Sequence, residues 1–237
     1  MYGWRGRIGL IVPASNTTME VEFYKMAPDG VSIHTTRVPL QKVNVEELES
    51  MEKHLVDAAK LLSMANVDVI VFGCTTGSLI KGIGYDREII KKLQEETNIP
   101  STTTTTAVIE ALKALNANKI ALATPYIDEV NEREERFLKD MGFEVVDLKS
   151  LNILKNIDIG KQIPETVYRL VKSLNYSDAD VIFISCTNFR TIEVIEKLEE
   201  DLGIPVISSN TASMWMALKL LKIGGMKKKY GKLFETL

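Results

Sequence analysis

Cysteine is scarce in this chain: 237 residues carry two, Cys74 and Cys186. Two cannot make the disulfide framework of a small secreted domain, and a chain of this length buries a core without staples, so both are expected as free thiols. Histidine is equally sparse. His34 and His54 stand alone, which offers neither metal-ligand spacing nor a Ser-His-Asp triad. HExxH, CxxC, GxSxG and a glycine-rich phosphate loop are all missing, and with them the common zinc, redox, hydrolase and nucleotide-binding signatures. There is no charged-then-apolar leader and no apolar run of about 18 residues, so a soluble, cytoplasmic, reduced protein without membrane contact is expected. Excess charge of either sign is also absent. Twenty-nine Lys and Arg against 32 Asp and Glu are interspersed, which argues against a nucleic-acid surface. The one basic run, "MKKKY" at 226–230, reads as a solvated helix end or tail and is assigned no role.

The chain does contain a duplication. A shift of 112 residues lays "RIGLIVPASNTTMEVEF" (7–23) on "KIALATPYIDEVNEREE" (119–135), matching Ile8 with Ile120, Leu10 with Leu122, Pro13 with Pro125, Glu20 with Glu132 and Glu22 with Glu134. The same shift lays "VDVIVFGCTT" (67–76) on "ADVIFISCTN" (179–188), so Asp68 meets Asp180, Cys74 meets Cys186 and Thr75 meets Thr187. Further on, "IP" at 99–100 matches "IP" at 204–205, so the second copy lacks seven residues around "KGIGYDR". One register shared by separated blocks marks two repeats, with the cysteines at equivalent positions.

Each copy reads strand, helix, strand, helix. "IGLIV", "IALAT", "VDVIVFG" and "ADVIFIS" are short apolar runs of buried-strand type, while "EELESMEKHLVDAAKLLSMA" and "PETVYRLVKSLN" carry apolar residues at helical spacing. The pattern predicts an α/β protein of two pseudosymmetric lobes, each a mainly parallel sheet flanked by helices. The lobes are expected at 1–112 plus 216–237 and at 113–215. Ligands of such sheets bind beyond the carboxyl ends of the strands, where both cysteines fall, so the site is expected in the cleft between the lobes with one thiol on each side.

Each cysteine precedes a threonine and stands where a helix would begin, which would favour thiolate or a bound carboxylate. The hydroxyl run "STTTTT" (101–106), with counterpart "VISSNT" (206–211), reads equally well as a strand followed by a capping threonine. Asn16 and Tyr126 follow the strand-end prolines but are not equivalent: Asn16 matches Asp128 and Tyr126 matches Ala14. Such divergence suits two halves that hold different ends of one ligand.

"GLIVPASNTTME", "FGCTTGS", "TPYIDEVN", "NIDIGKQIPE" and "FISCTNFRT" together resemble the maleate cis–trans isomerase and arylmalonate decarboxylase branch of the aspartate/glutamate/hydantoin racemase superfamily, through nearly the whole chain. The resemblance implies Cys74 as nucleophile, Cys186 as the opposing acid/base, and Asn16, Tyr126 and Asn156 as residues that hold substrate carboxylates, with Asn152 in the same loop as the rival to Asn156. Thr75, Thr76, Thr187 and Asn188, beside the thiols, complete the candidate substrate-binding set. The implied ligand is a small carboxylate, no cofactor or metal is required, and a homodimer or higher homo-oligomer is the expected assembly. The decarboxylase of the family has glycine at the first cysteine position, so Cys74 argues against that activity. A cis–trans isomerase of a small unsaturated dicarboxylate, a racemase using the same thiol pair, and a two-lobed binding protein for a small carboxylate all remain open. Thiols would suit either enzyme if a moderately depressed pKa gave thiolate near neutral pH.

Overall fold

A computed structural model describes residues 1–224 and 230–237. Most of the "MKKKY" run, residues 226–229, lies outside the described residues. The first repeat forms β1 (Gly6–Pro13), α1 (Met19–Met26), β2 (Val31–Val38), α2 (Val45–Ser50), α3 (Glu52–Ser63), β3 (Val69–Phe72), α4 (Thr75–Leu79), α5 (Tyr85–Thr97), β4 (Ser101–Thr103) and α6 (Thr104–Ala114). The second forms β5 (Lys119–Thr124), α7 (Asp128–Asp140), β6 (Glu144–Ser150), α8 (Asn156–Gly160), α9 (Pro164–Lys172), β7 (Val181–Ile184), α10 (Ile195–Leu202), β8 (Val206–Ser208) and α11 (Ser209–Leu220). The strands make two four-stranded parallel sheets, ordered β2-β1-β3-β4 and β6-β5-β7-β8. The central pairs repeat in register as well as order, Ile8 with Val69 in the first and Ile120 with Val181 in the second, while β5 and β6 slip by one residue between Ile120 and Ala121 where β1 and β2 run unbroken.

Period-two alternation explains how the sheets pack. Val69 and Val71 of β3 and Val181 and Phe183 of β7 enter one apolar cluster, which also takes Ala107, Ile109, Trp215 and Leu218 from α6 and α11. Ile70, Phe72, Ile182 and Ile184 point the other way into a second cluster with α3, α5, α9 and α10. Buried on both faces, these strands need uninterrupted apolar runs, which is what the sequence supplies. The matched Asp68 and Asp180 have a structural job. Asp68 Oδ2 accepts the Arg7 N–H at 2.8 Å, and Asp180 Oδ2 accepts those of Asn118 and Lys119 at 2.8 Å, so each anchors the start of its neighbouring first strand.

The hydroxyl runs are strand and cap. Thr103 ends β4 and its side chain accepts the Thr106 N–H to cap α6; Ser208 ends β8 and forms a capping box with Thr211 on α11. The "IKGIGYDRE" insertion becomes a turn with positive φ at Gly82 and Gly84, followed by α5. No helix among the described residues is long and apolar enough to cross a membrane.

Trp215 of α11 is 1% exposed, donates Nε1–H to Thr236 Oγ1 at 3.0 Å and packs in the cluster shared by both sheets. Trp215→Ala is expected to cost about 3–5 kcal/mol. Differential scanning calorimetry should show a single cooperative transition at lower Tm rather than two separate ones.

Candidate active site

β3 ends at Phe72 and β7 at Ile184, and the thiols follow two residues later on the equivalent strand ends. All nine residues singled out from sequence are buried, none more than 5% exposed. The chain after Cys74 turns into helix at once: Cys74 is the N-cap of α4, and its Sγ accepts the Gly77 N–H at 3.3 Å. Gly77 permits that approach, because a Cβ there would sit 2.8 Å from Sγ. The Thr76 side chain also opposes the rise of this thiol's pKa.

Cys186 is different, and here the expectation of a helix start fails. Its φ is +90°, a conformation that costs a residue bearing a Cβ about 1–3 kcal/mol. The following segment stays non-helical until α10 begins at Ile195. The reason lies in where its N–H groups go. Glu22 of α1 takes those of Thr191 at 2.7 Å and Ile192 at 3.3 Å, and the Asn188 N–H turns back to Cys186 Sγ at 3.4 Å.

One seam joins the two thiol-bearing ends. Thr187 Oγ1 donates to the Gly73 carbonyl at 3.1 Å, one residue before Cys74, and accepts from Asn16 Nδ2 at 3.0 Å. Asn188 Oδ1 accepts the Thr17 N–H at 2.8 Å, its Nδ2 donates to the Asn156 carbonyl at 2.7 Å, and its own carbonyl accepts from Thr18 Oγ1 at 3.0 Å. Asn156 Nδ2 in turn donates to Ser15 Oγ at 2.8 Å. The structure therefore brings Asn16, Asn156, Thr187 and Asn188 into one network. Asn156, not Asn152, is the buried asparagine of its loop; Asn152 is exposed, with φ +54°. Asn16 Oδ1 also caps α1 by accepting the Thr18 and Met19 N–H groups at 3.0 Å. Thr75 turns its hydroxyl to Ser209 at 2.8 Å, on the α11 side.

Tyr126 of the second lobe faces the Cys186 sulfur and opposes the rise of that thiol's pKa, and behind it lie two residues that sequence reasoning missed. Ser185 Oγ is 3.5 Å from the Tyr126 hydroxyl and donates to Glu134 Oε1 at 2.6 Å. Glu134 could have been suspected, since the repeat pairs it with Glu22; nothing in the linear pattern reveals that it faces Tyr126. Asp128 is exposed in the first turn of α7, a favourable place for a carboxylate at a helix start, and so lies outside the buried set.

The electrostatics reverse the expected depressed thiols. Burial pushes Cys74 up to about 11, against the opposing Gly77 N–H and Thr76 hydroxyl. Burial pushes Cys186 further, to about 12, despite donation from the Asn188 N–H and Tyr126; Cys74 and Glu134 add to the rise. Desolvation outweighs two or three hydrogen bonds because thiolate loses most of its hydration at this depth. Burial thus holds both thiols in the protonated form at neutral pH. Among the described residues no group of three or more His, Cys, Asp or Glu is placed to hold a metal ion.

Two matched α/β halves thus present one thiol each at a common seam, an enzyme architecture of paired lobes. The profile of the arylmalonate decarboxylase family matches residues 8–234, and the chain belongs to that family. It is 32% identical over 230 residues to a maleate isomerase of Pseudomonas putida, covering 92% of each chain. It is also 32% identical over 232 residues to the arylmalonate decarboxylase of Bordetella bronchiseptica, covering 96% of each chain. Among solved structures, a Nocardia farcinica maleate cis–trans isomerase, a cysteine-to-serine mutant with a covalently bound succinylcysteine intermediate, superposes with TM-score 0.93 at 27% identity, covering 97% of this chain and 98% of that one.

Gly77→Ala should push the Cys74 sulfur off its N-cap position. Iodoacetamide labelling followed by peptide mass spectrometry is expected to show a changed Cys74 rate with an unchanged Cys186 rate in the same sample; equal effects at both would refute the local contact.

Proposed function

We propose that this chain is a maleate cis–trans isomerase that works through a covalent adduct on Cys74. The carrying observation is the thiol pair itself, one at each of two equivalent strand ends that the Thr187 hydroxyl ties together. A carbon–carbon double bond does not rotate at ordinary temperature, so it must become single. Cys74 thiolate adds to one alkene carbon, and the electron pair moves into the carboxylate conjugated to the other, as an enediolate. Donors around that carboxylate stabilise the charge. Asn16, whose Nδ2 gives one hydrogen to Thr187 and keeps a second, and Asn156, in the same position toward Ser15, are the candidates for this task. Cys186 gives its proton to the carbanionic carbon, which yields a succinyl thioether with a free single bond. After rotation Cys186 thiolate takes a proton back, the pair re-forms the alkene, and Cys74 leaves as thiolate. Electrons and protons balance on the two thiols.

The maleate isomerase relatives and the succinylcysteine captured in one of them support this reading. The decarboxylase relative is as similar in sequence, but the resemblance gives that enzyme glycine where this chain has Cys74, so the nucleophile for the adduct is what separates the two. The racemase reading needs an acceptor for a substrate ammonium group. Asp128, two residues after Tyr126, is a carboxylate near enough in sequence to serve, and its exposed place at the start of α7 favours a dicarboxylate without an amine.

Turnover is the test. Maleate should lose alkene absorbance to fumarate without added cofactor, and L-aspartate should keep its optical rotation. Because Cys74 titrates at about 11, thiolate is the minor form at neutrality and kcat/KM should rise about tenfold per pH unit on the acid side of that value. Exchange of the aspartate α-hydrogen with deuterated water, with maleate unchanged, would decide for the racemase.

A further inference from the structure

The repeat places Glu22 and Glu134 at equivalent positions, both about 1–2% exposed and both raised by burial to about 7. Their surroundings have diverged. Glu22 spends both oxygens on fixed donors: the Thr191 and Ile192 N–H groups, the Thr191 hydroxyl, and Asn210 Nδ2 at 2.6 Å. Glu134 has one hydrogen bond, to Ser185 at 2.6 Å, and its Oε2 bonds to no described residue. The positions between each glutamate and its thiol diverge in parallel: Ser185 matches Gly73 and Tyr126 matches Ala14. Ser185 and Tyr126 therefore stand between carboxyl and thiol at Cys186 alone, with Ser185 Oγ 2.6 Å from Glu134 Oε1 and 3.5 Å from the Tyr126 hydroxyl.

We propose that Glu134 is a positioning residue for Cys186: through Ser185 it sets whether the Tyr126 hydroxyl donates to the Cys186 sulfur or away from it. Ser185 and Tyr126 have one hydroxyl hydrogen each, so the chain can point only one way at a time. With Glu134 ionised, Ser185 donates to Oε1 and its oxygen draws the Tyr126 hydrogen, leaving the sulfur without that donor. With Glu134 protonated, the carboxyl donates to Ser185 Oγ, Ser185 to the Tyr126 oxygen, and Tyr126 to Sγ. One proton enters or leaves at Glu134; the others keep theirs. The inference rests on the reading of Cys186 as the proton-carrying thiol and deepens it.

The surroundings leave Glu134 free to act this way. α4 presents Thr75 and Leu79 to it, α6 Thr105, Val108 and Ile109, and β7 Phe183, none of which titrates. No charge on β6 or on α7 itself shifts it: burial raises it and Ser185 alone opposes. The titratable groups that feel Glu134 are Tyr126 and Cys186, with Cys74 acting on Cys186 from the other side.

The rate of Cys186 alkylation by iodoacetamide, read per peptide by mass spectrometry on ligand-free protein, tests the proposal. A lone thiol gives a log rate that rises with slope one in pH. The wild type should rise, flatten near pH 7 as Glu134 ionises, and rise again, displaced by about tenfold. Glu134→Gln, which removes the charge and whose amide donates to Ser185, should give a straight line that runs about tenfold above wild type at alkaline pH; Ser185→Ala, which frees Tyr126 but keeps the Glu134 charge, should keep a smaller break than wild type. A straight wild-type line, a break that survives in folded Glu134→Gln, or a Ser185→Ala break as large as that of wild type overturns the proposal; if one variant fails to fold by circular dichroism, the other and the wild-type profile still decide. No substrate is present in this experiment, so a chain inactive toward maleate would leave its outcome standing.

Discussion

The Thr187 hydroxyl is the contact on which the arrangement depends. It follows Cys186, donates to the carbonyl that precedes Cys74 and accepts from Asn16, so one oxygen fixes both thiol-bearing strand ends and the loop beyond β1. Asn188 extends the seam to Thr17, Thr18 and Asn156. Buried hydrogen bonds contribute on the order of 1 kcal/mol each. The five that run through Thr187 and Asn188 together outweigh the ~1–3 kcal/mol cost of the left-handed backbone at Cys186.

From that strain follows the asymmetry of a symmetric fold. The two sheets repeat in order and in the register of their central strands, yet one thiol caps a helix and the other sits on a turn that Glu22 and Asn188 hold open. Cys74 consequently receives backbone and hydroxyl donors from its own helix, while Cys186 receives Tyr126 and a longer line of hydroxyls behind it. Equivalent positions thus acquire unequal surroundings.

The architecture was legible because it was written twice. A single register through "VIVFGCTT" and "VIFISCTN" located equivalent strands, and buried parallel strands leave an apolar signature that needs no tertiary information. Asn16, Asn156, Thr187 and Asn188 were legible as candidates, and the structure joins them. What was not legible depends on neighbours distant in the chain. The turn after Cys186 arises from a carboxylate on α1, 169 residues away at Thr191, and "SCTNFR" alone gives no hint of it. The expectation of acidic thiols erred for a related reason: local donors were visible in the sequence, whereas the depth of burial that opposes them is a property of the assembled halves.

The central claim is that the two thiols have different jobs, Cys74 bonding to carbon and Cys186 moving the proton. Peptide mapping by mass spectrometry of the Cys186→Ser variant after incubation with maleate tests it most directly. The account predicts a succinyl group on the peptide that carries Cys74 and none in Cys74→Ser. A modified Cys186 peptide in Cys74→Ser, with no adduct on Cys74 in the partner variant, would contradict it.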